Sequence, residues 1–202
     1  MQILTLEQGT PEWHAARLGI ITMSELKTLL VKGKGPAGFG AGALSYMHQL
    51  IGERITGEPA ASWGGNIHTQ RGHEMEPMAR DLYREATGHE PHEVGIILNH
   101  GVGYSPDGLI SDGGALEIKT KLPKLQVEVL LAGEIPKEHL AQVQGGLWVS
   151  EREWLDFVSY WPGMPLFVKR AYRDEKMIST IQERIEAFHH ELENRMAVVM
   201  AA

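Results

Sequence analysis

The sequence predicts a single mixed α/β (α+β) domain, residues 1–202, with helices flanking one central mixed sheet. Two observations carry that prediction. Apolar residues recur at helical steps up to Gly88, alternate with period two between 93 and 121, and return to helical spacing after Pro136. The chain of 202 residues is 43% hydrophobic, which is ordinary for one globular domain with a sizeable core.

Each element has a local cause. Thr10, Pro11 and Glu12 supply an N-cap, a first-turn proline and a first-turn acid, and Gly19 a stop, which predicts a helix over 11–18. Thr22 and Glu25 have capping-box spacing, so a second helix is expected from Thr22 to just before Gly33. Five glycines and a proline between 33 and 42 predict a mobile loop that buries little. Helices follow over 43–56 and 71–88; the second has Met75, Met78, Ala79, Leu82 and Ala86 as its buried stripe, and Pro77 in its first turn or at a kink. Strands over 93–99, 102–110 and 115–121 form an antiparallel meander, with a tight turn at Asp112, Gly113 and Gly114. After a loop, Pro136 opens a helix carrying Leu140, Val143 and Leu147, and strands over 154–160 and 166–172 complete the sheet. Ile178, Ile181, Ile185, Phe188 and Leu192 then mark one face of a final helix.

Composition narrows the chemistry. With no cysteine, disulfides, thiolate zinc sites and thiol nucleophiles are excluded. A net charge of -7 excludes coating of nucleic acid by a general basic surface, so any phosphate contact must be local, at Lys32 and Lys34, Arg71, or Lys119, Lys121 and Lys124. No signal-like N-terminus and no long uncharged stretch is present, so a soluble, cytoplasmic protein is expected, with no membrane partner. The ten histidines lack metalloprotease spacing; His68 with His73, and His89 with His92, are read as surface residues. Trp13 is expected on the core face of the first helix.

The informative stretch is Ser105, Pro106, Asp107, Gly108 and, across the hairpin, Leu116, Glu117, Ile118, Lys119. Glu117 and Lys119 are two apart on a strand and share a face, while Ile118 points into the core. The turn brings Asp107 alongside them. Two carboxylates and an ammonium then converge, and the hard oxygen set suits Mg²⁺, with Mn²⁺ as substitute and the Ile118 carbonyl as a further ligand. Phosphodiester hydrolysis needs such a set to neutralise the phosphate and the leaving 3'-oxygen. Lys119 would orient water or stabilise charge, and would act as a base only if its pKa were strongly lowered. Pro106-Asp107 at a distance from Glu117-x-Lys119 is the PD-(D/E)xK nuclease pattern, which predicts a restriction-endonuclease-like core.

Four segments in order extend the likeness over nearly the whole chain. They are Gln8 to Glu25 with Trp13 and Arg17; Gly72, Glu76, Ala79 and Arg80; Ser105 to Lys119; and Ala141 to Gln144 with Trp148. In these the chain resembles lambda-type alkaline exonucleases of viral recombination systems. The resemblance implies a processive 5'→3' exonuclease on double-stranded DNA ends that releases mononucleotides, a ring-shaped homotrimer, and a cognate single-strand annealing protein that takes the 3' overhang. It further implies two ions held by Asp107, Glu117 and Glu76, a catalytic Lys119, and a 5'-phosphate site at Arg17, Ser24, Ser105 and Gln142. Ser24 and Arg17 also suit an anion physically, through a helix N-terminus and a planar guanidinium. The family's strand-separating apolar residue falls near Thr69, and the glycine-rich loop departs from the family pattern. The other readings of the same residues are an endonuclease or junction resolvase of the PD-(D/E)xK class, and a DNA-end-binding protein without catalysis.

Overall fold

The computed structural model describes residues 1–59, 67–111 and 113–202, with the backbone alone at 36, 67–70 and 73. In chain order the elements are β1 (Gln2–Leu4), α1 (Pro11–Arg17), β2 (Ile21–Thr22), α2 (Leu26–Leu30), α3 (Ala41–Thr56), α4 (Ile67–Thr87), β3 (Pro91–His92), β4 (Ile96–Asn99), β5 (Val102–Tyr104), β6 (Gly108–Ile110), β7 (Gly114–Thr120), α5 (Pro123–Ala132), α6 (Lys137–Ser150), β8 (Trp154–Tyr160), β9 (Phe167–Tyr172) and α7 (Glu175–Met200). Short 3-10 turns cover Met23–Glu25 and Pro36–Gly38. The expected alternation of helical and strand segments is present. Among the described residues no helix is long and apolar enough to cross a membrane.

Instead of one central sheet there are two, ordered β1-β4-β5-β2 and β3-β6-β7-β8-β9. The expected strand over 102–110 breaks after Tyr104. Pro106 has no N–H to give to a ladder, so pairing ends on one sheet and resumes on the other at Gly108. β7 and β8 run parallel, and α5 and α6 form the crossover that parallel pairing requires. α5 lies where a loop was expected; Pro123 at its first turn and left-handed Gly133 at its end are the signals for it.

Three other expectations are corrected. The Thr22 hydroxyl caps nothing and instead contacts Ser24 Oγ at 3.1 Å; Thr22 belongs to β2, and the helix starts only at Leu26. The glycine-rich segment is ordered by a bridge between Lys32 and Phe39, and Phe39 is fully buried with Arg184 over its ring. In α4, Ala79 and Tyr83 are buried and Met75 and Leu82 pack beside them, while Met78 and Ala86 are exposed; Pro77 lies inside the helix. The side chains of His68, Thr69 and His73, and the turn residue Asp112, lie outside the described residues.

α7 follows its pattern: Asp174 accepts from the Lys176 and Met177 amides as N-cap, and Ile178, Ile181, Ile185, Phe188 and Leu192 are all buried. Each such side chain contributes about 1.5–3 kcal/mol by burial. The larger core cluster joins α2, α3, α6 and α7; a smaller one joins α4 to the outer face of β7 and β8 through Tyr83, Leu116, Ile118 and Val158. The five-stranded sheet is thereby covered on both faces, and β7 is packed between helices.

Candidate active site

The site forms just before β6 begins, where β7 runs on past the pairing of Gly108 with Leu116. The pairing of Gly108 with Leu116 and a bond from the Asp107 amide to the Leu116 carbonyl (3.0 Å) set Asp107 directly opposite Glu117. Opposed residues of an antiparallel pair share a face, so both carboxylates reach the same space. Asp107 Oδ2 accepts from the Ile118 amide at 2.5 Å, and Lys119 Nζ donates to Glu117 Oε1 at 2.6 Å. The predicted triad of Asp107, Glu117 and Lys119 is thus gathered beside the open end of the β6–β7 hairpin.

Glu117 is 2% exposed and carries two further donors: Gln142 Nε2 from α6 at 2.5 Å and the Tyr104 hydroxyl at 3.1 Å. Tyr104 was not legible as a site residue; its adjacency to Ser105 in a buried strand is the only signal. Its ring reaches Glu117 because α6 has glycine where the ring passes. A Cβ on Gly146 would stand 2.7 Å from the Tyr104 ring. Gly146→Ala is therefore expected to displace Tyr104 from Glu117 and to cost about 1–3 kcal/mol, as overpacking does. Urea unfolding of the variant, with activity assayed alongside, measures both effects.

From the other face of the sheet α4 brings Glu76 and Arg80. Arg80, only 6% exposed, donates from Nε to the Asp107 carbonyl at 3.2 Å and from one terminal nitrogen to Glu76 at 2.5 Å; the other terminal nitrogen lies 2.8 Å from Glu93. Glu7, Gln8, Glu76, Arg80, Glu93 and Asp107 line a cleft of about 250 Å³. Gln8 clamps the loop before the site, donating to the carbonyls of Val94 (3.0 Å) and Pro106 (2.9 Å). Among the described residues no three metal-binding side chains are drawn together as a ligand shell, because Glu76 is turned onto Arg80 and Glu117 onto Lys119 and Gln142. A larger hollow of about 660 Å³ lies between α3 and α7, but its wall is mainly apolar and its single carboxylate, Glu191, pairs with Arg195.

The proposed 5'-end residues fall into two groups. Thr22 of β2 pairs in parallel with Gly103 of β5, so Ser24 and Ser105 lie equally far beyond the paired strand ends. Arg17 donates to Ser105 Oγ at 3.1 Å and stacks over the Trp13 ring at 4.1 Å. Trp13 is not a core residue as expected: its indole N–H donates to the Gly95 carbonyl (2.8 Å) and Ser105 Oγ (3.1 Å), which fixes the Arg17 platform. Ser24 sits in a 3-10 turn, not in the first turn of a capped helix, so the argument from a helix N-terminus does not hold for it. Gln142 is committed to Glu117 rather than to the Arg17 group.

A profile of the YqaJ-like viral recombinase domain matches residues 12–153, a span that holds Arg17, Ser24, Glu76, Ser105, Asp107, Glu117, Lys119 and Gln142. The chain belongs to the YqaJ-like viral recombinase family. It is similar to an alkaline exonuclease from Laribacter hongkongensis, with 36% identity over 95% of this chain and 97% of that one and a TM-score of 0.85. The same exonuclease in complex with dAMP matches at 36% identity over 94% and 96%, TM-score 0.84. A phage-related exonuclease from Haemophilus somnus shares the fold at 17% identity, over 89% of this chain and 96% of that one, TM-score 0.68. Comparison with curated protein sequences gives no match.

The electrostatics of this recombinase-family site are those of crowded acids. Burial, then Glu117 and Glu76, push the Asp107 carboxyl well above the usual aspartate range, against the lowering effect of Lys119 and the Ile118 amide. Burial alone would lower the Lys119 ammonium, but Glu117 and Asp107 outweigh it and hold it above the usual lysine value. Lys119 is a cation here, so the general-base role open to it in the sequence is unavailable in the metal-free protein. Beside it, His139 is pushed down to about 3 by burial and by Lys121 and Lys119, so at neutral pH it is an uncharged partner of Lys121 at 2.6 Å.

Proposed function

We propose that this viral-recombinase-family nuclease is a Mg²⁺-dependent exonuclease that digests the 5'-phosphorylated strand of double-stranded DNA ends to mononucleotides and leaves a 3' overhang for strand annealing. The observation that carries the proposal is the opposition of Asp107 to Glu117 with the Lys119 ammonium beside them. The donor set fits divalent cations: hard oxygens only, and an aspartate carboxyl that burial and the nearby Glu117 and Glu76 push upward, a crowding that a bound cation would relieve. Asp107, Glu117 and the Ile118 carbonyl would hold one ion, and Glu76 with Asp107 a second; Mn²⁺ would substitute. When bound, such ions neutralise the scissile phosphate and the leaving 3'-oxygen. Gln142 and Tyr104 orient Glu117, and Lys119 holds an ammonium where negative charge develops. Arg17, aligned by Trp13 and Ser105, offers the terminal phosphate a planar fork.

The lambda-type reading extends to a homotrimeric ring around the duplex, a cognate annealing protein, and action in the cytoplasm of a bacterial host. End-labelled linear duplex carrying a 5'-phosphate or a 5'-hydroxyl, set against closed circles, tests polarity and end-dependence together. Digestion from phosphorylated 5' ends with circles spared is expected; equal cutting of circles would support a PD-(D/E)xK endonuclease instead. Arg17→Ala is expected to narrow the preference for 5'-phosphate over 5'-hydroxyl by about tenfold or more, the worth of a charge-assisted contact of about 1.5–3 kcal/mol. An unchanged preference would remove Arg17 from the 5' site.

A further inference from the structure

We propose that Arg80 is an exchange counter-ion: it neutralises Glu76 in the metal-free chain, and once a divalent cation takes that carboxylate the released guanidinium N–H holds a phosphate oxygen of the substrate. The inference deepens the nuclease reading and rests on it.

Three observations carry it. Each of the three guanidinium nitrogens of Arg80 has its own acceptor: the Asp107 carbonyl, Glu76 and Glu93. Two of these do not involve Glu76, so the group stays seated if Glu76 turns away. Glu76, Arg80 and Asp107 line one cleft, and the Glu76 side chain keeps 24% of its surface open, which leaves it room to turn toward Asp107. Glu93 stays as a solvent-exposed counter-charge, but the N–H that loses Glu76 belongs to a guanidinium 7% exposed and is costly to leave unmet, and beside a phosphodiester the natural replacement acceptor is a phosphate oxygen. Cation and phosphate binding are then coupled through one side chain, and coupling is reciprocal: each ligand tightens the other by the same factor.

The test uses inorganic phosphate as the anion probe, Ca²⁺ as a cation that leaves binding measurable without turnover, and calorimetry as the readout. The wild-type chain should bind phosphate about 5-fold or more tightly with Ca²⁺ than without it. Glu76→Ala should gain a comparable factor with no cation, because Arg80 is then already released. Arg80→Gln should lose the Ca²⁺ effect on phosphate while binding Mn²⁺ more tightly than wild type, since a competing charge is gone. Arg80→Lys keeps a charge without the planar fork and should also lose the coupling; it decides the matter should Arg80→Gln not fold. Metal-free phosphate affinity unchanged in Glu76→Ala, or weaker Mn²⁺ binding in folded Arg80→Gln, would overturn the proposal. If Asp107→Asn binds Mn²⁺ as wild type does, the metal reading itself fails, and that result is distinct from a failure confined to Arg80.

Discussion

Asp107→Asn should abolish metal-supported cleavage and at the same time raise the melting temperature of the metal-free protein at neutral and alkaline pH. The two effects share a cause. Asparagine can still accept the Ile118 amide bond, so the end of the hairpin keeps its geometry. What is removed is a negative charge that burial, Glu117 and Glu76 all oppose. A carboxyl raised above its unfolded pKa stabilises the fold fully below the ordinary aspartate range, and that contribution is lost as pH rises through the folded value. The gain of the variant over wild type should therefore be absent in acid and grow with pH, at roughly 2–4 °C for each kcal/mol of relieved repulsion in a chain of this size. Activity should fall by about 10³-fold or more, beyond the ~10²–10³ typical of losing one preorganised electrostatic contact. Thermal melts from pH 4 to pH 9, with and without Mg²⁺, check it: Mg²⁺ should stabilise wild type increasingly with pH and leave the variant unmoved. A variant less stable than wild type at high pH would contradict the account.

Lys119→Ala should keep the fold, retain metal and DNA binding, and lose turnover by about 10²–10³-fold, with the loss in kcat rather than KM. Its ammonium is held charged by Glu117 and Asp107, so its contribution on the proposed reading would be a fixed positive charge near the reacting phosphate. Lys119→Arg, which keeps the charge but not the compact geometry, should recover only part of the loss. In either variant Glu117 retains Gln142 and Tyr104 as donors, so the carboxylate is not left uncompensated. Single-turnover cleavage of end-labelled duplex, with binding measured in Ca²⁺, separates the chemical step from affinity; full activity of Lys119→Ala would remove it from the mechanism.

Much of the site was legible because strand periodicity is local. Alternation set Glu117 and Lys119 on one face, and the glycine-rich turn fixed a register that opposes Asp107 to Glu117. The last helix, α7, was equally legible from its apolar stripe, and α3 and α6 lie where helices were expected, though α6 is buried on all sides from Val143 to Ser150 and Leu140 of its expected stripe is only half-buried. What was missed depends on tertiary neighbours. The split into two sheets follows from Pro106, whose missing donor counts only once the partner strands are known. β1, β2 and β3 are two or three residues long, too short to show a period. Trp13 looks like a core residue in one dimension, yet its indole N–H has a serine hydroxyl to orient. Tyr104 and Arg80 act through atoms far away in sequence, and Gly146 matters only because a ring passes over it.

The most direct test is a crystal of the protein equilibrated with Mn²⁺ and a 5'-phosphorylated DNA end, with the metal located by anomalous scattering. The account predicts an ion touching both Asp107 and Glu117 beside the scissile phosphate. An ion bound elsewhere, with the two carboxylates still engaged by Ile118, Lys119, Gln142 and Tyr104 as in the metal-free chain, would contradict it.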